Sequence, residues 1–297
     1  ALFPNTYGKP EITFVKGANT SAAKKQVVGV ILSGGQAPGG HNVISGLYDA
    51  LKATNPENKL LGFKKGPDGL LKNDYVEFDD KFIDAYRNTG GFDIIGSGRT
   101  KLETPEQFAI VAEVCKKHGI TAIVIIGGDD SNTNAAVLAE YFAAHNTGVQ
   151  VIGCPKTIDN DLPMTDHCPG YGSAAKYIAT SMKEIIRDNE SYGVSKPTIC
   201  IVEIMGRHAG WLTAAAAMSK DVDCSGPDLI YLPEVDFDPD DFVRRVGELA
   251  KEKNSIVIAV SEGVKLADGR FVCELSGGND KLDAFGHKQL SGVGAYL

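Results

Sequence analysis

The 297 residues are enough for one large domain or two of ordinary size, and we favour two. With 43% hydrophobic and 23% charged residues, the composition is that of a globular protein with a substantial core, which excludes a largely disordered chain. The net charge of -8 argues against binding to nucleic acid or to a membrane surface, because polyanions are bound by a basic face.

Cysteine usage and hydropathy place the chain in a reducing, aqueous setting. The six cysteines are widely spaced and form no CxxC pair, so neither a zinc site nor a thioredoxin-like motif is predicted. Reduced thiols in a cytoplasmic protein are favoured over disulfides. No apolar run approaches the ~20 residues of a membrane span, and the first residues do not form a signal-peptide pattern.

The first predicted strand is the short apolar run at residues 27–32, VVGVIL, of the kind that is covered on both faces. It is followed by a glycine-rich turn, SGGQAPGGHN, and then by VISGLYDALK, whose apolar residues have helical spacing. The segment GFKKGPDGLLKNDYVEF is predicted to be a loop or short hairpin. Thr104, followed by Pro, Glu and Gln, indicates the start of a helix.

The same order of strand and polar turn recurs along the chain. Apolar runs at 120–126, 149–154 and 197–204 lead into GGDDSNTN, PKTIDND and MGRHAG, and two further runs end at Glu234 and Glu262. Repeated βα units predict an α/β protein with two doubly wound, Rossmann-like domains and mostly parallel sheets. Turn formers in DLPMTDHCPGYGS place the expected boundary between domains 1–165 and 166–297. The last residues have the pattern of an amphipathic helix without a cap, which predicts a C-terminal truncation.

The stretch PKTIDND carries the residue types that phosphoryl transfer needs. Lys156 offers a point charge suited to phosphate oxygens, and Thr157 offers a hydroxyl. Asp159 could take a proton from an attacking alcohol, while Asp161 could hold a metal or alter the titration of Asp159. Ordinary turn chemistry is the alternative for this stretch.

The other glycine-rich turns strengthen this interpretation, because ligands of such sheets bind at the carboxyl ends of the strands. Four glycines between Gly34 and Gly40 lead into a helix and could cradle an anion, or could simply make a tight turn. Asp129 and Asp130 could be bridged to an anion by Mg²⁺, or could cap a helix. In MGRHAG, Arg207 supplies a second cation.

Taken in order, SGGQAPGGHN, GSGRT, GGDDS, PKTIDND, MGRHAGW and LPE resemble the phosphofructokinase family, and within it the pyrophosphate-dependent members. ATP-dependent relatives typically read GGDGS and GTIDND, whereas this chain has Asp130 and Lys156 at the two glycine positions. The resemblance implies the phosphofructokinase fold and a cytoplasmic, Mg²⁺-dependent enzyme. It would transfer a phosphoryl group reversibly from pyrophosphate to the 1-hydroxyl of fructose 6-phosphate, as a homodimer or larger oligomer with shared sites.

The resemblance also implies a role for each matching residue. Asp159 would be the base, Lys156 would stabilise the transition state, Asp130 would select the donor, and Asp129 would hold Mg²⁺; Arg207 would complete the catalytic set. The first domain would bind pyrophosphate through Gly34, Gly35, Arg99, Gly128 and Lys156. The second would bind fructose 6-phosphate through Thr157, Ile158, Asp159, Asp161, Met205, Gly206, Arg207 and Glu234, with Lys196 as a candidate cation across subunits. The basic residues that complete the 6-phosphate pocket in the family come from a later segment than Leu297.

Three other functions compete with this one. The same enzyme could use ATP, and a donor assay separates the two. A non-catalytic regulatory subunit should have lost the Asp and Lys constellation, which this chain retains. A dinucleotide-binding dehydrogenase needs an acidic residue about 20 positions after the first glycine turn, and residues 53–56 offer no convincing one.

Overall fold

A computed structural model describes residues 3–10, 13, 15, 24–192, 195–276, 290 and 292–297. The chain divides into two compact units, Ala1–Lys156 and Thr157–Leu297, so the division comes earlier than the expected boundary at 165/166. The reason is local: the Lys156 N–H donates to the Gly127 carbonyl of the first unit at 2.9 Å, whereas Ile158 packs against an apolar cluster of the second. The motif PKTIDND is therefore shared between the two units.

The first unit alternates strands and helices, as the sequence predicts. Its elements are β1 (Val27–Ser33), α1 (Gly40–Thr54), β2 (Lys59–Phe63), α2 (Pro67–Lys72), β3 (Tyr75–Glu77), α3 (Asp80–Asp84), β4 (Ser97–Gly98), α4 (Pro105–His118), β5 (Ala122–Gly127), α5 (Asp129–Ala144) and β6 (Gln150–Pro155). The sheet has the order β3-β2-β1-β5-β6, and the short β4 also pairs with the end of β1. All pairs are parallel except β2 with β3.

The centre of this sheet is buried on both faces, which explains the unbroken apolar run of β1. Successive side chains of a strand point to opposite faces. Ile31 accordingly packs in one cluster with Leu138 of α5, while Val30 and Leu32 pack in another with Ile44 of α1. The predicted strand and the following helix are confirmed, and so is the start of α4, where Thr104 and Gln107 form a reciprocal capping box.

Two expectations for the first unit are wrong. The segment expected to be a loop or hairpin contains α2 between the antiparallel strands β2 and β3, because Gly66, with φ +70°, turns the chain and Pro67 occupies the first helical position. The run that forms β6, as one of the repeated βα units, was expected to be a buried parallel strand. It is instead the last strand of the described sheet, and Ile152 is 50% exposed.

The second unit has a smaller sheet. Its elements are α6 (Tyr171–Tyr192), β7 (Thr198–Ile204), α7 (Trp211–Ala214), β8 (Leu229–Tyr231), α8 (Pro239–Glu252), β9 (Ser255–Ser261) and α9 (Val293–Tyr296). The order is β7-β9-β8 and both pairs are parallel, so the predicted α/β class with mostly parallel sheets is confirmed. The central β9 is buried on both faces: Ile258 packs with Phe242 of α8, and Ala259 with Met182 of α6.

Three remaining expectations concern the chain as a whole. The predicted C-terminal helix falls mostly on residues 277–289, which lie outside the described residues. All six cysteines are free thiols. Among the described residues, none of the helices combines the length and the apolar character needed to cross a membrane.

Candidate active site

The carboxyl ends of four strands meet at one edge of the first sheet. Ser33, the last residue of β1, is in register with Gly98 of β4 on one side and with Gly127 of β5 on the other. Gly127 is in turn in register with Pro155, the last residue of β6. The turns that follow these four strands are therefore neighbours, as the sequence predicts for a ligand site.

The first glycine turn leaves room for an anion beside a cation. Gly34 has φ +85°, and its N–H donates to the Gly98 carbonyl at 2.9 Å, which ties the first turn to GSGRT. A Cβ on Gly35 would lie 3.2 Å from Nη2 of Arg99. The guanidinium of the exposed Arg99 thus lies directly beside the Gly35 backbone, which has no side chain of its own to cover it. This arrangement suits phosphate oxygens.

Lys156 is fixed by two contacts of its ammonium. Nζ donates to the Gly35 carbonyl at 2.6 Å and lies 5.5 Å from the centre of the Phe92 ring. The side chain is only partly exposed, and the backbone at this position is anchored to Gly127. The predicted phosphate-binding lysine is therefore held against the first glycine turn before any ligand arrives, which lowers the reorganisation that binding requires.

Asp129 and Asp130 occupy the first turn of α5. The alternative that they cap this helix is wrong, because Gly128 is the N-cap residue and no side-chain capping bond is made. The turn itself is fixed by Asn132, whose Nδ2 donates to the carbonyls of Gly127 and Gly128 at 2.8 and 2.9 Å. Asp129 is exposed, and within the described part of the chain its carboxylate makes no hydrogen bond or ion pair.

These two carboxylates fit a magnesium ion that takes most of its ligands from elsewhere. The described residues contain no group of three or more His, Cys, Asp or Glu side chains that could hold a metal. Mg²⁺ is commonly bound by one or two carboxylates together with substrate phosphates and water. An accessible Asp129 beside anion-binding turns satisfies that requirement, whereas a cage made wholly of protein ligands is not seen in the described ranges.

In the second unit, the loop after β7 is held at its two ends by carboxylates. The Gly206 N–H donates to Oε1 of Glu262 at 3.3 Å, and the Gly210 N–H donates to Oε1 of Glu234 at 2.7 Å. Ser261 adds a hydrogen bond from Oγ to the Gly206 carbonyl. Glu262 and Glu234 follow β9 and β8, so the three parallel strands together fix the loop that carries Arg207.

Burial raises the pKa of Glu262 above its usual range, and Glu203 adds to this effect. The Gly206 N–H and Arg207 oppose it. Gly206 has φ +143°, a conformation that favours glycine. A Cβ on Gly263 would lie 2.0 Å from the Arg207 carbonyl oxygen, so the loop and the turn after β9 can approach this closely only because position 263 is a glycine.

The turn after Lys156 has its own internal bonds. Thr157 accepts the Asp159 N–H on Oγ1 at 3.0 Å, a side-chain turn that fixes the backbone of the predicted base. One carboxylate oxygen of Asp159, Oδ1, is buried. Asn160, with φ +59°, accepts the Cys168 N–H at 2.7 Å, which anchors the end of the turn.

The structure thus groups the predicted residues by unit. The first unit brings together Gly34, Gly35, Arg99, Gly128, Asp129, Asp130 and Lys156. The second carries Thr157, Ile158, Asp159 and Asp161 on one turn, and Met205, Gly206, Arg207 and Glu234 around another. Lys196 lies apart from these residues within the chain. It precedes β7, whereas Met205 follows the other end of that strand.

Three supporting residues were not assigned a role from the sequence. The sequence marks Glu262 only as the end of an apolar run, although it directly follows β9 and Glu234 likewise lies shortly after β8. His41 and Phe92 were not singled out at all. The position of His41 immediately after the glycine-rich turn was a usable signal, but nothing in the sequence connects Phe92 to Lys156.

The fold and these turns define the class of protein: a doubly wound α/β protein with glycine-rich, polar turns at the carboxyl ends of its parallel strands, where ligands of such sheets bind. Comparison with known families then identifies it further. The family described as phosphofructokinase matches residues 27–295, and the chain therefore belongs to the phosphofructokinase family. The resemblance drawn from the six motifs is confirmed.

Individual relatives agree with this assignment. The chain is 51% identical over 220 residues to a pyrophosphate–fructose 6-phosphate 1-phosphotransferase of Porphyromonas gingivalis, and 46% identical over 220 residues to the beta 1 subunit of the Arabidopsis thaliana enzyme of the same name. Each match covers 73% of this chain, which spans 40% and 38% of the two relatives' lengths. Among solved structures, a pyrophosphate-dependent phosphofructokinase of Nitrosospira multiformis superposes with a TM-score of 0.71 at 32% identity, covering 82% of this chain and 62% of that one.

Proposed function

We propose that this chain carries the catalytic centre of a pyrophosphate-dependent phosphofructokinase. The reaction is the reversible transfer of a phosphoryl group from pyrophosphate to the 1-hydroxyl of fructose 6-phosphate, giving fructose 1,6-bisphosphate and phosphate. The observation that carries the proposal is the Lys156 ammonium. It lies 2.6 Å from the Gly35 carbonyl, at the edge of the sheet where Asp130 lies in the first turn of α5. The names of the relatives support the same donor and acceptor.

The choice of donor follows from the two positions at which the family's ATP-dependent members typically have glycine. A carboxylate at Asp130 occupies and charges the space that a nucleotide's α-phosphate would need, which excludes ATP by repulsion. Lys156 neutralises the phosphate that leaves, with Arg99 and the backbone of Gly34, Gly35 and Gly128 binding the rest of the donor. A small inorganic anion is therefore the donor that this arrangement fits.

A divalent metal is the cofactor we assign, in keeping with the family, and Asp129 would hold it. When bound, Mg²⁺ neutralises phosphate oxygens and orients the group that is transferred. The chain itself contributes one accessible carboxylate and the neighbouring charge of Asp130. Both lie in the first turn of α5, directly after the Gly127–Gly128 backbone.

The acceptor is activated by Asp159 in this proposal. Its carboxylate takes the proton of the 1-hydroxyl as that oxygen forms its new bond to phosphorus, while the bond from phosphorus to the leaving phosphate breaks. Thr157, Ile158, Asp161, Met205, Gly206 and Glu234 position the sugar phosphate, and Arg207 stabilises the developing charge. The enzyme is a cytoplasmic oligomer in this proposal, and partner subunits complete the pocket for the 6-phosphate. Lys196 is the candidate residue for this contribution across the interface.

A coupled assay for fructose 1,6-bisphosphate, with pyrophosphate and ATP supplied side by side, tests this function. It should be run on this chain and on a longer chain of the relatives' length. Turnover with pyrophosphate and none with ATP is the expected result, and the double variant Asp130→Gly, Lys156→Gly should gain use of ATP. Turnover with ATP alone would make the chain an ATP-dependent enzyme, and binding of the sugar phosphate without turnover would favour a regulatory subunit.

A further inference from the structure

His41 is a buried histidine next to the turns proposed to bind pyrophosphate, and both of its ring nitrogens have hydrogen-bond partners. It is the second residue of α1 and is 3% exposed. Nε2 accepts the N–H groups of Asp93 and Ile94, both at 3.0 Å. Nδ1 lies 2.7 Å from Oγ1 of Thr89, whose hydroxyl donates to the Tyr86 carbonyl at 2.7 Å.

The two amide contacts favour a neutral ring with one particular tautomer. Two amide N–H groups require a lone pair on Nε2, so the single proton of the neutral ring is on Nδ1, from which it is donated to Thr89. A second proton would point an N–H at two other N–H groups. The charged group that faces the ring is the Asp93 carboxylate, whose Oδ1 is also 3.0 Å from Nε2 and attracts a proton to that nitrogen. Because this side chain is 77% exposed, water screens the opposing attraction. The Tyr86 ring, which contacts the imidazole edge-on at 5.0 Å, is uncharged.

The backbone that His41 holds forms a clamp around the start of α1. We define this clamp segment as residues 89–94. Its carbonyls at Gly90 and Gly91 accept the N–H groups of Gly39 and His41 at 2.8 and 2.9 Å. The Phe92 ring fills the space that a side chain on Gly40 would need, since a Cβ there would lie 2.4 Å from the ring.

The clamp segment contacts Lys156 through the ring of Phe92. Phe92 is 4% exposed, and its ring centre is 5.5 Å from Nζ of Lys156. At that distance an aromatic face attracts an ammonium group. The order of contacts is thus His41, the clamp segment, Phe92 and Lys156, all within the first unit.

We propose that His41 is a positioning residue for Lys156: its neutral ring holds the clamp segment, and through Phe92 it sets the place of the ammonium that receives pyrophosphate. The inference rests on the proposed function for its catalytic consequence, because His41 itself touches neither substrate. It adds a requirement that the ring be uncharged, so acid weakens the donor site through a group outside it.

The test compares three variants of the full-length protein with a control. His41→Leu removes the acceptor, whereas His41→Gln can place a carbonyl oxygen near the position of Nε2 without a titratable group. Phe92→Leu keeps the clamp segment apolar but removes the aromatic face. His145→Gln, an exposed histidine of the same unit stacked on Tyr141, is the matched control.

We expect His41→Leu and Phe92→Leu to raise KM for pyrophosphate or lower kcat by about tenfold, with KM for fructose 6-phosphate unchanged. His41→Gln should recover most of the activity and flatten the acid side of the pH profile, whereas Phe92→Leu and His145→Gln should keep that acid side. If His41→Leu does not fold, the other two variants decide. Wild-type pyrophosphate kinetics in Phe92→Leu, or an unchanged acid side in His41→Gln, would overturn the proposal.

A second measurement separates this inference from the proposed function. Nitrogen-15 NMR of His41 in the substrate-free protein should show the proton on Nδ1 and slow exchange of the Asp93 and Ile94 amides. A wild-type protein that gives these signals but has no pyrophosphate activity would refute the function and leave the clamp intact. A proton on Nε2 would refute the clamp whatever the activity.

Discussion

The turns proposed to bind pyrophosphate in the first unit and the loop proposed to bind the sugar phosphate in the second are stabilised in opposite ways. In the first unit a charged side chain is fixed by backbone: Lys156 donates to the Gly35 carbonyl, and strand register places both. In the second unit a backbone is fixed by charged side chains, because Glu262 and Glu234 accept the N–H groups of Gly206 and Gly210. The proposed pyrophosphate site therefore depends mainly on the sheet, and the proposed sugar-phosphate loop on two carboxylates.

The largest effect is expected from replacing Asp159, the proposed base. Asp159→Ala should lower kcat by about 10²- to 10⁴-fold, because a positioned proton acceptor is lost. Circular dichroism and the melting temperature should stay close to those of the parent protein, and Asp166→Ala, an exposed neighbour, is the control. Activity within a factor of a few of the parent would remove Asp159 from the mechanism.

Replacing the donor-side cation comes next. Lys156→Met should lower kcat with pyrophosphate by about 10²- to 10³-fold, since it removes preorganised charge from the transition state. KM for fructose 6-phosphate should be unaffected, as measured by initial rates at saturating donor. Lys116→Met, on the exposed face of α4, should behave as the parent. A rise in KM for fructose 6-phosphate alone would contradict the assignment of Lys156 to the pyrophosphate site.

On the acceptor side, Glu262→Leu should destabilise the loop that carries Arg207. The Gly206 N–H then loses its acceptor, at a cost of about 1–3 kcal/mol in the free energy of unfolding. KM for fructose 6-phosphate should rise while KM for pyrophosphate does not change. Glu262→Gln keeps an oxygen for Gly206 and should recover most of the stability. Equal losses in both variants would show that charge near Arg207, rather than the hydrogen bond, is what matters.

The smallest effect concerns pH and the stability of the first unit. Burial lowers the pKa of His41 below its usual 6.5, against the opposing pull of Asp93. As pH falls below 6.5 the unfolded chain takes up the proton before the folded one does, so stability decreases with falling pH until the lowered pKa is reached. The slope attributable to one histidine is at most about 1.4 kcal/mol per pH unit.

Denaturant unfolding between pH 7.5 and 5 measures this slope. His41→Gln should reduce it, and the remaining slope includes His118, whose pKa burial also lowers. A slope unchanged by the substitution would mean that the ring is not held neutral by the fold.

Much of the fold and the grouping of the site residues could be predicted from the sequence, because buried parallel strands followed by glycine-rich turns are strong local signals. The neighbourhood of Gly35, Asp129 and Lys156 follows from the rule that carboxyl ends of parallel strands share an edge. What could not be predicted depends on tertiary packing. The helix α2 follows a glycine with positive φ, Gly66. The contact of Phe92 with Lys156 joins residues far apart in sequence with no local pattern.

The exposure of β6 has a consequence for handling the protein. Within the described residues this strand has one neighbour, and Ile152 on it is half exposed. An apolar strand with a free edge is a template onto which a second polypeptide can add its own main chain. Expressed by itself, the chain should self-associate in a concentration-dependent manner through this edge, and a single lysine in place of Ile152 should keep it dispersed.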